Sequence, residues 1–201
     1  ITADQAQAMA QHAAALAPEV GGIIQILEDS ESLEDRLMRT GRLAPELAAE
    51  LGVVGFVGRA SGQVYDVRAD APYAPYDKFP VRVAHYRAGD VAARAKVRSE
   101  EIAISLELII NLLNELPVGP LAAAWPQPAR PCEGIGIVEG WRGEILSYVS
   151  FDKDGKVTRF FPRDPSWLIW PALEQCVQGN IVPDFPLCNK SMNGSYSGHD
   201  L

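Results

Sequence analysis

Cysteine is scarce in this chain: Cys132, Cys176 and Cys188 are far apart and odd in number, which fits neither a disulfide framework nor a Cys-x-x-Cys metal pair. A reducing compartment is the natural reading. Long apolar runs are also missing: no stretch approaches the roughly 18 to 20 apolar residues that cross a bilayer. The N-terminus is neither basic nor a signal-peptide core, so contact with a membrane is expected only through partners. Positive charge is in deficit. The 18 Lys and Arg against 26 Asp and Glu leave a formal charge of -8, which repels phosphate backbones and argues against nucleic acid. There is no phosphate-binding glycine loop, no dinucleotide-binding fingerprint and no Ser-His-Asp order. Internal repeats are absent, and the chain opens at Ile1 instead of methionine, which reads as a fragment of a larger subunit.

What is present is an ordinary globular composition, 47% hydrophobic and 22% charged, enough for one sizeable core. Thr2 and Gln5 have the form of a capping box at the head of a helix. Pro18 and the pair Gly21-Gly22 interrupt its pattern, which predicts a kink or two consecutive helices. Ser32 is placed to cap a short helix through Met38, and Pro45 with Gly52 brackets another. Residues 58–80 are rich in Gly, Pro, Tyr, Asp and Arg without a period, as functional loops often are. Gly89-Asp90 opens a long helix on which Ile102, Leu106, Ile109, Leu113 and Leu116 form one apolar seam; this helix is expected at the centre of a bundle. Residues 118–133 read as a proline-rich connector. Three β-rich runs then predict a small antiparallel sheet, with Lys153-Asp154-Gly155 as a tight turn, before a final helix from Asp164-Pro165 and a polar tail. The fold class is therefore α+β and mainly helical. One structural unit divides into 1–117, the connector 118–133, and 134–201 with the sheet, terminal helix and tail.

Among residues that carry chemistry, Arg59, Ser61, Gly62, Asp66 and Arg68 lie within ten positions. Two guanidiniums and a carboxylate so close suit either an anion site or a buried Arg-Asp network that holds the loop. His85 beside Tyr86 could give a proton but reads as a hydrogen-bonded structural residue. Trp125, Trp141, Trp167 and Trp170 read as core or interface anchors, and Cys188 as a small buried hydrophobe.

The run Arg59-Ala-Ser-Gly-Gln-Val-Tyr-Asp-Val-Arg68, with Ala71-Pro-Tyr73 and Tyr76, resembles a segment of the catalytic subunits of respiratory complex I and of membrane-bound nickel-iron hydrogenase large subunits. Gly89-Asp90, Arg94, Val97-Arg98, Glu101 and Ser105 match the long helix of the same superfamily, Arg142-Gly143-Glu144 its Arg-Gly-Glu strand motif, and Phe161 to Leu201 its closing helix and tail. The resemblance implies the C-terminal part of a large subunit that combines helices with a small sheet and docks on an iron-sulfur small subunit. It implies a quinone or substrate cavity lined or braced by Arg59, Ser61, Gly62, Asp66 and Arg68, with Arg142 as the candidate catalytic residue. In that register Ser195 and Gly198 fall on two metal-binding cysteines. Neither supplies a thiolate, so no metal is expected here, and His199 reads as solvated. The segment itself is expected to bind no cofactor, with quinone nearby, an iron-sulfur cluster in the partner and NADH chemistry in another subunit. The expected location is the inner face of the cell membrane, held there through partner subunits. The alternative is a non-catalytic structural or assembly paralogue of the hydrogenase large subunit.

Overall fold

The computed structural model describes residues 1–120, 122–124, 128 and 130–200, so Trp125 lies outside the described residues. Helix α1 runs over Ala3–Glu28, capped by the reciprocal Thr2 and Gln5 hydrogen bonds the sequence predicts. It continues through Pro18 without a break, so the expectation of two consecutive helices is not met. The reason lies in what α1 packs with: Ala6, Ala10 and Ala13 form its buried stripe against the long helix, while Ile23 and Ile26 beyond the prolyl turn stay exposed. Short helices follow as α2 (Glu31–Leu37), α3 (Pro45–Glu50), α4 (Gly55–Ala60) and α5 (Val67–Asp70). Ser32 lies inside α2, whose N-cap is Ser30; two serines flank the same acidic turn, and only the backbone entry angle chooses between them.

The long helix α6 spans Val91–Asn114. Its N-cap Asp90 accepts from Ala93 N at 2.8 Å with one carboxylate oxygen and from Arg39 N at 2.8 Å with the other. The helix touches α1, α2, α4 and α8 (Phe185–Met192) and so occupies the centre of the bundle. The seam read from the sequence is not the face it buries, however. Val97 and Ile104 enter the core, whereas Ile102, Ile109 and Leu116 remain 46, 43 and 44% exposed. Ile104 sits two positions from Ile102, or about 200° around the helix, so α6 carries two apolar stripes, of which this chain covers one.

The sheet has the order β1 (Cys132–Gly140), β2 (Gly143–Phe151), β3 (Val157–Arg163), antiparallel throughout. The β2–β3 turn closes through Asp154 N and Lys156 N on the Asp152 carboxylate. Helix α7 (Ser166–Cys176), α8 and α9 (Tyr196–His199) complete the chain, so the polar tail is helical. Leu43, Phe56, Val57, Val97, Ile169 and Met192 form the centre of the core. Cys188 is buried there, as expected, with Cys176, whose thiol burial pushes up to about 12.

Two close approaches tie the layers together. At Gly55 (φ +68°) an added Cβ would stand 1.9 Å from the Arg142 carbonyl, and at Gly143 (φ +134°) 2.9 Å from Gly55 N, so the β1–β2 turn rests on the start of α4 backbone to backbone. Arg94 is fully buried and donates to the Gly41 and Gly89 carbonyls and to Ser191 Oγ, pinning α6 to two loops and α8.

Asp90→Ala should remove both the α6 cap and the anchor of Arg39 N, at a cost of about 2 kcal/mol in urea unfolding. Asp90→Asn, which keeps one acceptor oxygen, should recover about half.

Candidate functional site

Helix α4 is only six residues long and buried along its whole length, which forces Arg59 inward with its charge. A guanidinium cannot shed its proton, so acceptors must come to it. Arg59 Nε donates to Glu101 of α6 at 2.6 Å, and Nη1 donates to Glu139 of β1 at 2.9 Å and to the Tyr65 carbonyl at 3.0 Å. The Asp66 carboxylate stands 3.6 Å from the same Nη1. Asp66 caps α5 through Arg68 N, and accepts both arms of the Arg68 fork at 2.9 and 2.7 Å. Glu139 also accepts from Val67 N. Of the two possibilities left open by the sequence, an Arg-Asp network that holds the loop is what the geometry builds, extended by two glutamates from distant elements.

This network forms one wall of an open cavity of about 360 Å³, lined by Arg59, Arg68, Arg98, Glu101 and Glu139, with Trp141 and the α6 residues Ile102, Ser105 and Leu106. Asp66 lies behind the wall. Ser61 is fully buried against Gly89, with its hydroxyl unpartnered among the described residues, and Gly62 (φ +82°) turns the chain against Pro45; neither lines the cavity. Arg142 points elsewhere, donating from Nε to the Asn193 carbonyl at 2.6 Å and from Nη2 to Asn193 Oδ1 at 3.0 Å. It therefore clasps the left-handed residue that ends α8, three positions before His199's helix begins.

At the tail, Ser195 Oγ accepts from Gly198 N at 3.0 Å and so caps α9. Trp167 donates to the Gly198 carbonyl and Trp170 to that of Ser195, so both tryptophans anchor this corner. A hydroxyl and an absent side chain are not donors for a soft metal, and among the described residues no group of three or more His, Cys, Asp or Glu is placed to hold one. The positions do not fit a nickel-iron centre. His85 and His199 are both exposed.

Sequence reasoning had no local signal for Glu139, which lies 80 positions from Arg59. It placed Glu101 and Arg98 on the long helix without assigning them to the cavity. Outside the wall, Tyr65 donates to Glu144 at 2.6 Å, a bond that raises the phenol to about 12, and Glu144 also pairs with Arg163.

Residues 1–133 match the family described as respiratory-chain NADH dehydrogenase, 49 Kd subunit. Similar curated proteins include the carbon monoxide-induced hydrogenase of Rhodospirillum rubrum, 34% identical over 85% of this chain and 47% of that protein. Formate hydrogenlyase subunit 5 of Escherichia coli is 33% identical over 90% and 32%, and an NADH-quinone oxidoreductase subunit of Herpetosiphon aurantiacus is 32% identical over 79% and 45%. The chain thus spans about a third to a half of the length of these relatives. Among solved structures, a chain of the membrane-bound sulfane sulfur reductase, an archaeal respiratory membrane complex, superposes with a TM-score of 0.88 at 28% identity, over 99% of this chain and 55% of that one.

Burial works to raise Asp66, but the Arg68 hydrogen bonds and the charges of Arg68 and Arg59 outweigh it and hold the carboxyl below its ordinary range. A carboxyl depressed by folding contributes stability above its ordinary value of about 3.9 and loses it as pH falls through the lower folded value. Glu139 is displaced the other way, by burial and then by Asp66, so its contribution is present below about 4.3 and is lost as pH rises through the raised value. Asp66→Asn is expected to cost about 3 kcal/mol near neutral pH, since it takes the charged partner from the half-buried Arg68 fork and one of three neighbouring carboxylates from Arg59. It should also lose less than the wild type on further acidification, as read from urea unfolding at about pH 7 and about pH 3.

Proposed function

Because this chain belongs to the family of the 49 Kd subunit of respiratory-chain NADH dehydrogenase, we propose that it forms the acceptor cavity of a complex I-like or hydrogenase-like multi-subunit oxidoreductase. In this reading the acceptor is a quinone, and electrons reach it from an iron-sulfur cluster held by a partner subunit. The observation that carries it is the open cavity of Arg59, Arg68, Arg98, Glu101 and Glu139, a polar wall of which Arg59, Arg68, Arg98 and Glu101 lie in the segments that carry the family resemblance. Asp66 acts as its brace and Ser61 and Gly62 set the loop behind it. Arg142 contributes by holding the tail corner at Ser195 and Gly198, next to the turn that meets α4.

The partner part of the reading is supported by surface this chain leaves uncovered. Ile102 and Ile109 form an exposed stripe on α6, with Leu116 exposed just past its end, and Ile135, Val157 and Phe160 expose apolar area on the sheet. Exposed stripes of this kind mark docking faces. No helix among the described residues is long and apolar enough to cross a membrane, which accords with a subunit held on the inner face of the cell membrane through its partners. The alternative, a scaffold or assembly paralogue, draws support from the tail, where a serine cap and a glycine stand at the positions that the resemblance sets on two cysteines.

The test is to purify the complete gene product from its native membrane with whatever subunits accompany it, and to assay iron, nickel and quinone in the same sample. Iron-sulfur and quinone without nickel is the expected result; a complex free of every redox centre would establish the scaffold. In the same preparation Ile109→Glu should reduce co-purifying subunits by about tenfold or more, because a charge placed in an apolar interface costs at least about 1.4 kcal/mol.

A further inference from the structure

Three guanidiniums face the cavity, and two of them are tied to carboxylates. Arg59 serves Glu101, Glu139 and the Tyr65 carbonyl, and Arg68 gives both arms of its fork to Asp66. Arg98 differs from both: its contacts are with aromatic faces, and it donates no hydrogen bond to any of the described residues. Its guanidinium carbon lies 5.6 Å from the centre of the Phe56 ring and 5.3 Å from that of Trp141. Those two rings stack in parallel, 2° apart in tilt and 5.7 Å between centres. The ring quadrupoles fix the cation in place without occupying its N–H groups.

Resting on the quinone reading above, we propose that Arg98 is the group that seats the acceptor's carbonyl oxygen in this cavity and stabilises the charge that builds on it. Arg98, Glu101, Ile102, Ser105 and Leu106 recur at spacings of three and four and so form one face of α6; all five line the cavity. Among the described residues Arg98 is the cavity guanidinium with no carboxylate partner, and it sits at the head of a wall that becomes apolar one turn further on.

Charge balance selects the class of ligand. Arg59, Arg68 and Arg98 are matched by Asp66, Glu101 and Glu139, so the wall has no net field to attract a multiply charged anion. It offers one localised fork of donors, suited to a neutral carbonyl that gains negative charge during reaction. A dianion would instead meet Glu101 and Glu139 at close range. In the reduction the quinone takes two electrons, one at a time, from the partner's iron-sulfur cluster and two protons from solvent, and leaves as the quinol. Arg98 keeps its own proton throughout, and its hydrogen bond strengthens as the oxygen becomes anionic, which favours the transition state over the bound substrate.

The experiment uses the assembled complex. Ubiquinone-1 reduction is measured beside reduction of ferricyanide, an inorganic one-electron acceptor that does not need the cavity, in wild type, Arg98→Gln and Arg98→Lys. For Arg98→Gln the quinone-to-ferricyanide ratio of kcat/KM should fall about 100-fold, the scale of losing one preorganised donor to a developing oxyanion. Most of the loss should lie in kcat. Arg98→Lys, which keeps the charge but not the fork, should recover about a tenth to a third of the wild-type ratio. An unchanged ratio in Arg98→Gln would overturn the proposal, as would a parallel fall of both activities, which is what a merely structural role gives. A wild-type complex that reduces ferricyanide but no ubiquinone-1 would refute the quinone reading itself, and is distinguishable because it needs no variant.

Discussion

One buried cation organises the middle of this protein. Arg59 is 1% exposed and stays charged at any pH the fold survives, so its position obliges partners to arrive from elsewhere in the chain. Four partners come from three places: Glu101 on α6, Glu139 on β1, and Asp66 with the Tyr65 carbonyl in the loop between α4 and α5. Buried ion pairs of this sort add little net stability over an apolar core of the same volume, yet removing one member strands the others. The network therefore serves less to hold the fold than to hold it in one arrangement. An irregular stretch with a four-residue helix becomes a defined wall because its alternatives leave a charge unpaired.

A second buried guanidinium solves the same problem by different means. Arg94 meets carbonyl oxygens of Gly41 and Gly89 and a serine hydroxyl, without a carboxylate in direct contact. Burial lowers its pKa from the ordinary arginine value, while Cys176, Cys188 and Asp90 act in the opposite sense. Arg59 joins the helical bundle to the sheet, and Arg94 joins α6 to the C-terminal helices. Both cations thus sit at junctions between elements far apart in sequence, where apolar side chains alone would allow the pieces to slide.

What the sequence made legible was local. The Thr2 capping box, the Asp90 N-cap, the proline at the head of α3 and the Asp154-Gly155 turn depend on residues within a few positions of one another, and each is in place. The Arg59, Asp66 and Arg68 cluster was visible for the same reason, being confined to ten residues. Long-range partners were not. Glu139 carries no mark that distinguishes it from other strand glutamates, and Arg98 acquires its setting from rings at positions 56 and 141. The strongest periodic signal misled in an instructive way: periodicity reveals an apolar face of α6, but a helix with two such faces does not say which one its own chain covers. The unbroken α1 has a related cause, since alanines ahead of Pro18 fix the helix on α6 and the geometry of the prolyl turn is tolerated where nothing must pack against it.

The contact between Gly55 and Gly143 bears on how motion passes through the molecule. No side chain lies between the two backbones there, and side chains are what normally take up small displacements by changing rotamer. The junction has nothing soft in it. A shift of the β1–β2 turn therefore meets the first residue of α4 directly, and Arg59 lies near the other end of that short helix. Sheet and helix are thus registered to each other by main chain alone, so that the cavity wall and the sheet share one frame of reference.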